Sequence, residues 1–105
     1  MHFVETAVFT RLIRECLADD AYRAFQLALI LRPEQGPVIR GSGGLRKIRW
    51  ATGTSGKRGG VRIIYYWDPV RLTFYCLYVY RKNVQGDLTP AQVRTLRHLV
   101  EEEFR

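Results

Sequence analysis

Residues 46–82, RKIRWATGTSGKRGGVRIIYYWDPVRLTFYCLYVYRK, decide how this chain folds. They and their flanks read as three strands, GLRKIRWA (44–51), GVRIIYYWD (60–68) and RLTFYCLYVYRK (71–82), rich in β-branched and aromatic residues. The open polar loop ATGTSGKRGG joins the first two, and Asp68-Pro69 marks a tight turn between the last two. Alternation on the first strand puts Lys47 and Arg49 on one face and Arg46, Ile48 and Trp50 on the other. On the central strand Ile63, Tyr65 and Trp67 share a face, opposite Arg62, Ile64 and Tyr66. Apolar bulk on both sides of that strand predicts cover, at least in part, over both faces.

Working upstream, GPVIRGSGG (36–44) is a turn-rich crossover into the sheet. Before it, Phe9, Leu12, Ile13, Cys16 and Leu17 keep helical spacing, which predicts a helix over about residues 6–18. Asp19 or Asp20 can cap a second helix that carries Tyr22, Phe25 and Leu29 and ends before Pro33 and Gly36. His2 to Glu5 form a short candidate strand. Downstream, Thr89-Pro90-Ala91-Gln92 is a capping box with proline at the first helical position. Val93, Leu96, Val100 and Phe104 then form an apolar stripe that needs a surface to pack on. Glu101 to Glu103 lie at the wrong end of the helix dipole, which predicts a frayed last turn. The expected fold is α+β, in the order β-α-α-β-β-β-α, with helices packed on one side of a small antiparallel sheet.

At 105 residues the chain reads as one domain, 1–105, and 47% apolar content is ordinary for a folded protein. The charge is not evenly spread. Residues 46–82 hold nine of the seventeen Lys and Arg and a single acid, Asp68, so the whole net +7 of the protein sits there. Such a surface favours a polyanionic partner: nucleic acid, an anionic membrane or an acidic protein. Tyr65, Tyr66, Trp67, Tyr75, Tyr78 and Tyr80 interleave with the cations, which points first to RNA. No run of about 18 apolar residues occurs, and MHFVETAVF lacks a basic start followed by a cleavage site, so a soluble cytoplasmic protein is expected. Cys16 and Cys76 stand among apolar neighbours without a CxxC motif and read as reduced, packed thiols. His2 is terminal and His98 lies on a polar helix flank, so neither reads as a catalytic imidazole. Acids and histidines are scattered, and no metal or other cofactor is expected.

Each cation taken alone fits a solvated strand face equally well. The group does not, because chance placement would not confine the net charge to a third of the chain. If the strands pair in order, Lys47, Arg49, Arg62 and Lys82 can converge on one concavity. RNA cleavage needs a base for the 2′-OH proton, cations to stabilise the phosphorane and an acid for the 5′-oxygen. Without a suitable His or paired Glu, lysines and arginines would have to do this. A lysine hemmed in by arginines has its pKa lowered by like charge, which suits it to act as a base. Such a site should be poor on free RNA and need an external scaffold to hold the strand in line. Glycines 41, 43 and 44 precede a strand rather than a helix, so a phosphate-binding loop is not indicated.

Together, GGLRKIR, the basic glycine-rich loop, KRGG-RIIYY, then YVYRKN, the following DL and the capped final helix resemble the RelE/HigB superfamily of type II toxins. The similarity covers nearly the whole chain and is greatest to the HigB-type branch. It implies a ribosome-dependent endoribonuclease that cuts mRNA in the ribosomal A site and arrests translation. It also implies a cognate antitoxin, in HigB-type pairs usually a helix-turn-helix protein of the HigA type. By the resemblance, Lys47 and Arg49 match the paired basic positions of the first catalytic strand, one of them a candidate general base. Arg62 matches the arginine that stabilises the transition-state phosphate, and Lys82, or Arg81 beside it, the basic position that ends the last strand. Arg46, Lys57, Arg58, Tyr66, Tyr80 and Arg81 are the candidate contacts to RNA and ribosome. Leu88 stands about where the RelE prototype stacks an aromatic on the substrate base, so Tyr80 or Tyr66 would have to supply that stack. Two other readings of the same fold are a ParE-like inhibitor of DNA gyrase and an inactive RNA-binding member. ParE-type members tend to lose the cationic set, which this chain retains.

Overall fold

A computed structural model describes residues 1–51 and 60–104; Lys57 and Arg58, with the rest of their loop, lie outside the described residues. Strand β1 (His2–Glu5) leads directly into helix α1 (Ala7–Cys16), and Thr6 makes the joint. The Thr6 hydroxyl accepts the Phe9 N–H at 3.0 Å and donates to the Leu77 carbonyl at 2.9 Å, so one side chain caps the helix and ties it to the sheet. Helix α2 (Asp19–Leu31) follows almost at once and stops before Pro33. Its N-cap is Ala18 rather than an aspartate; Asp19 and Asp20 sit inside the first turn, where they favour the positive end of the helix dipole.

The sheet is built from β1, β2 (Arg46–Trp50), β3 (Val61–Asp68) and β4 (Thr73–Arg81), in the spatial order β1-β4-β3-β2. β2, β3 and β4 pair antiparallel, but β1 lies parallel to β4, so the sheet is mixed and not antiparallel throughout. Side-chain alternation has the same period in either direction, which is why the sequence pattern does not reveal the parallel edge.

The helices are not all on one side. Phe9, Ile13 and Leu17 from the α1 segment, with Phe25 and Leu29 from α2, pack on Ile48, Val61, Ile63, Tyr65, Phe74, Cys76 and Val79. The opposite face carries Leu45, Ile64, Tyr75, Leu77 and Tyr80, covered by Leu96, Leu99 and Val100 of the C-terminal helix. β3 and β4 are apolar on both faces and need two covers, the requirement already visible in β3. Each fully buried Leu, Ile, Val or Phe in these layers contributes roughly 1.5–3 kcal/mol.

That last helix, α3 (Pro90–Leu99), has the reciprocal cap its sequence announces: Gln92 N–H donates to Thr89 Oγ1 at 3.1 Å, and Thr89 N–H to Gln92 Oε1 at 2.9 Å. Past Leu99 the chain widens into a π-turn (Val100–Phe104) in place of the expected frayed end. Phe104 stacks on Tyr75 with ring centroids 4.3 Å apart, and Arg71 Nη1 donates to the Phe104 carbonyl at 2.8 Å. Aromatic burial and a cation at the C-terminal carbonyl offset the unfavourable glutamates.

One irregularity positions the site. Ile64 pairs with Tyr78 but Tyr65 with Cys76, so Leu77 is an extra residue on β4, a β-bulge. Alternation along β4 changes phase there. Phe74 and Cys76 face α1 and α2 before the bulge, and Val79 does so after it. Tyr80 is thereby turned to the α3 face, while Arg81 goes to the other.

Candidate functional site

The register sets two rows across the α3 face of the sheet. Arg49 lies opposite Arg62, which lies opposite Tyr80; one pair along, Lys47 lies opposite Ile64, opposite Tyr78. Directly paired residues project to the same face, and the two rows are about 7 Å apart along the strands. Lys47, Arg49 and Arg62 are thus brought to one face, the strands pairing in order. Lys82 follows the end of β4, and its N–H donates to the Gly60 carbonyl at 3.3 Å. Arg62 Nη1 lies 3.7 Å from the point a Cβ on Gly60 would occupy. The Arg62 guanidinium and the Lys82 backbone therefore meet at Gly60.

Arg62 is only 7% exposed. Among the described residues no carboxylate forms a salt bridge with its guanidinium or with that of Arg49. Two arginines directly opposite on neighbouring strands repel, so this pairing costs stability unless an anion lies between them. A guanidinium held by packing with no carboxylate paired to it among the described residues suits an anion.

Tyr80, 5% exposed, stands beside it. Burial, then the Asp87 charge, pushes its phenol up to about 12, so the group is a protonated hydrogen-bond donor at neutral pH. Asp87 is the residue that sequence reading missed. Its Oδ1 accepts Lys47 Nζ at 3.1 Å, Leu88 N–H at 2.8 Å and, at the long limit, Tyr80 O–H at 3.5 Å. The Leu88 N–H and then Lys47 hold its carboxyl below the ordinary carboxylate range. The loop that carries it is fixed by Gln85 Nε2, which donates to the Asp87 carbonyl at 2.8 Å and to the capping-box residue Gln92. The signal was an isolated acid two residues before the capping box.

Two candidate contacts are not part of this face, and a third lies on it but away from the arginine row. Arg46 projects with Ile48 to the α2 side, where Nη1 donates to the Glu34 and Gly36 carbonyls at 3.0 and 2.8 Å and the guanidinium pairs with the Glu34 carboxylate at 3.6 Å. It clamps the turn after α2. Arg81 Nη2 donates to the Glu15 carbonyl and so holds the end of α1. Tyr66 is on the same face as Arg62 but four positions along, packed near Tyr75 with ring centroids 6.3 Å apart. Leu88 packs on the α3-side core.

Cys16 and Cys76 are free thiols, and burial pushes Cys76 up to about 12. Among the described residues no group of three His, Cys, Asp or Glu could hold a metal ion, and no helix is long and apolar enough to cross a membrane. No protein-family model matches the chain.

Proposed function

We propose that this chain is the toxin of a type II toxin–antitoxin pair, a ribosome-dependent endoribonuclease of the RelE/HigB kind that cuts mRNA without a metal. The observation that carries the reading is the Arg62 guanidinium, on a residue 7% exposed and directly opposite Arg49, with Tyr80 beside it and Lys47 in the neighbouring row. In the reaction, the 2′-oxygen attacks phosphorus and the bond to the 5′-oxygen breaks, leaving a cyclic phosphate and a 5′-hydroxyl. Arg62 and Arg49 would bind the phosphate oxygens and stabilise the charge of the phosphorane. Lys47 or Lys82 would take the 2′-OH proton. While Lys47 donates to Asp87 it is not a base, so that ion pair must open first. The Tyr80 phenol, protonated at neutral pH, can donate to the departing or non-bridging oxygen. No imidazole and no carboxylate pair stands in this row, which fits a slow enzyme on free RNA that depends on the ribosome to align the strand. Its partners would be ribosome-bound mRNA and a cognate antitoxin of the HigA type, in the cytoplasm.

Induced expression without an antitoxin tests the class. Protein synthesis should stop before DNA synthesis. DNA synthesis stalling first, with gyrase-linked breaks, would favour the ParE-like reading; growth unaffected by expression would favour an inactive binding module.

A further inference from the structure

Of Lys47, Arg49, Arg62 and Lys82, Lys47 is the one with a carboxylate partner among the described residues, and that partner comes from the loop before α3. The Asp87 oxygen that receives Lys47 also receives Leu88 N–H and Tyr80 O–H. The first is a local turn bond that holds the carboxylate in place. The other two donors belong to the cationic face. An anionic oxygen fixed against an ammonium and a phenol at the rim of an arginine pair is placed as a phosphate oxygen would be.

We propose that Asp87 is an internal competitor for the phosphate ligand: it occupies Lys47 and Tyr80 in the free protein and is displaced from Lys47 when an RNA strand binds. This rests on the ribonuclease reading of the site. The contest is winnable, because the Asp87 side chain is 71% exposed and that of Lys47 34%, so water weakens the pair. An RNA in free solution meets a face with one cation already neutralised. A strand held at the site by a larger scaffold arrives at high effective concentration and takes Lys47 from Asp87. Asp87 thereby biases the site against free RNA and toward presented RNA, and its departure leaves Lys47 without its carboxylate partner.

The test is binding, not cleavage. A short single-stranded RNA and, separately, inorganic tripolyphosphate are titrated into the wild type, Asp87→Asn, Asp87→Ser, Lys47→Ala and Lys47→Ala/Asp87→Asn, at several salt concentrations. Asn and Ser both keep an oxygen for the Leu88 N–H, so the loop retains its local bond. Asp87→Asn and Asp87→Ser should bind both anions about two- to fivefold more tightly at low salt, the range of an exposed ion pair. The RNA salt dependence should steepen by about 0.7 in log–log slope, one more phosphate neutralised on a single strand. Without Lys47 the same replacement should leave the slope unchanged. Equal gains with and without Lys47 would reduce Asp87 to a bulk charge and overturn the proposal, as would unchanged or weaker affinity, or no anion binding by any form. The expected binding pattern together with no cleavage of ribosome-bound mRNA would sink the ribonuclease reading and leave this one standing.

Discussion

Replacing Arg62 with methionine separates the chemistry of the site from its packing. Methionine keeps most of the buried aliphatic stem and removes the guanidinium from a residue only 7% exposed. Two terms set the stability change. Filling the stem volume with an apolar side chain costs less than about 1.5 kcal/mol. Removing the like-charge partner across from Arg49 returns roughly 0.2–1 kcal/mol. The two nearly cancel, so Arg62→Met should unfold within about 1 kcal/mol of the wild type. Activity has no such offset. Loss of one preorganised charge-stabilising donor costs about 10²–10³ in rate. Single-turnover cleavage of mRNA on saturating programmed ribosomes reads the chemical step, and urea unfolding reads stability. A variant that cleaves within about threefold of the wild type, or one that loses more than about 3 kcal/mol, would show that Arg62 is structural and that the site lies elsewhere.

Two further outcomes concern the packing around Gly36 and the buried acidic protons. A Cβ on Gly36 would stand 2.9 Å from Tyr65 Cε1 and 3.0 Å from its hydroxyl, the group that accepts Gly36 N–H and donates to the Pro33 carbonyl, so Gly36→Ala should destabilise by about 1–3 kcal/mol in urea unfolding. Tyr80 and Cys76 both have proton affinities raised by burial, to about 12 from ordinary values of 10.0 and 9.0. The native state therefore holds these protons when the unfolded chain has lost them, so stability should be intact below pH 9 and fall as pH rises toward 12. Urea midpoints across that range check the sign, and Cys76→Ala should flatten the lower part of the fall.

Much of this architecture is legible in the residues. Period-two apolar runs with β-branched and aromatic residues mark β2, β3 and β4, and apolar bulk on both faces of β3 already requires two covering layers. The capping box at Thr89 marks the start of α3 because the same two side chains satisfy each other's backbone donors. Alternation puts Lys47 and Arg49 on one face of β2; that Arg62 joins them depends on the strand pairing. What alternation does not carry is the bulge at Leu77, which depends on how two strands pair. That one residue is why Tyr80 and not Arg81 joins Arg62. Arg46 and Arg81 look like any other strand cations in sequence; only the carbonyls they reach, in the turn after α2 and at the end of α1, reveal them as clamps. Asp87 sits outside every regular element and forty positions from Lys47, so its pairing is a tertiary fact.

Cleavage of one mRNA under two presentations tests the central claim most directly. Purified protein is mixed with the naked message, with and without a chelator, and, in parallel, with the same message on programmed ribosomes. The account predicts efficient cleavage in the ribosomal A site and little or none of the free message, with or without the chelator. Efficient, chelator-sensitive cutting of naked RNA would contradict it, because that chemistry needs a bound metal cation, which the positive charges of Lys47, Arg49 and Arg62 repel.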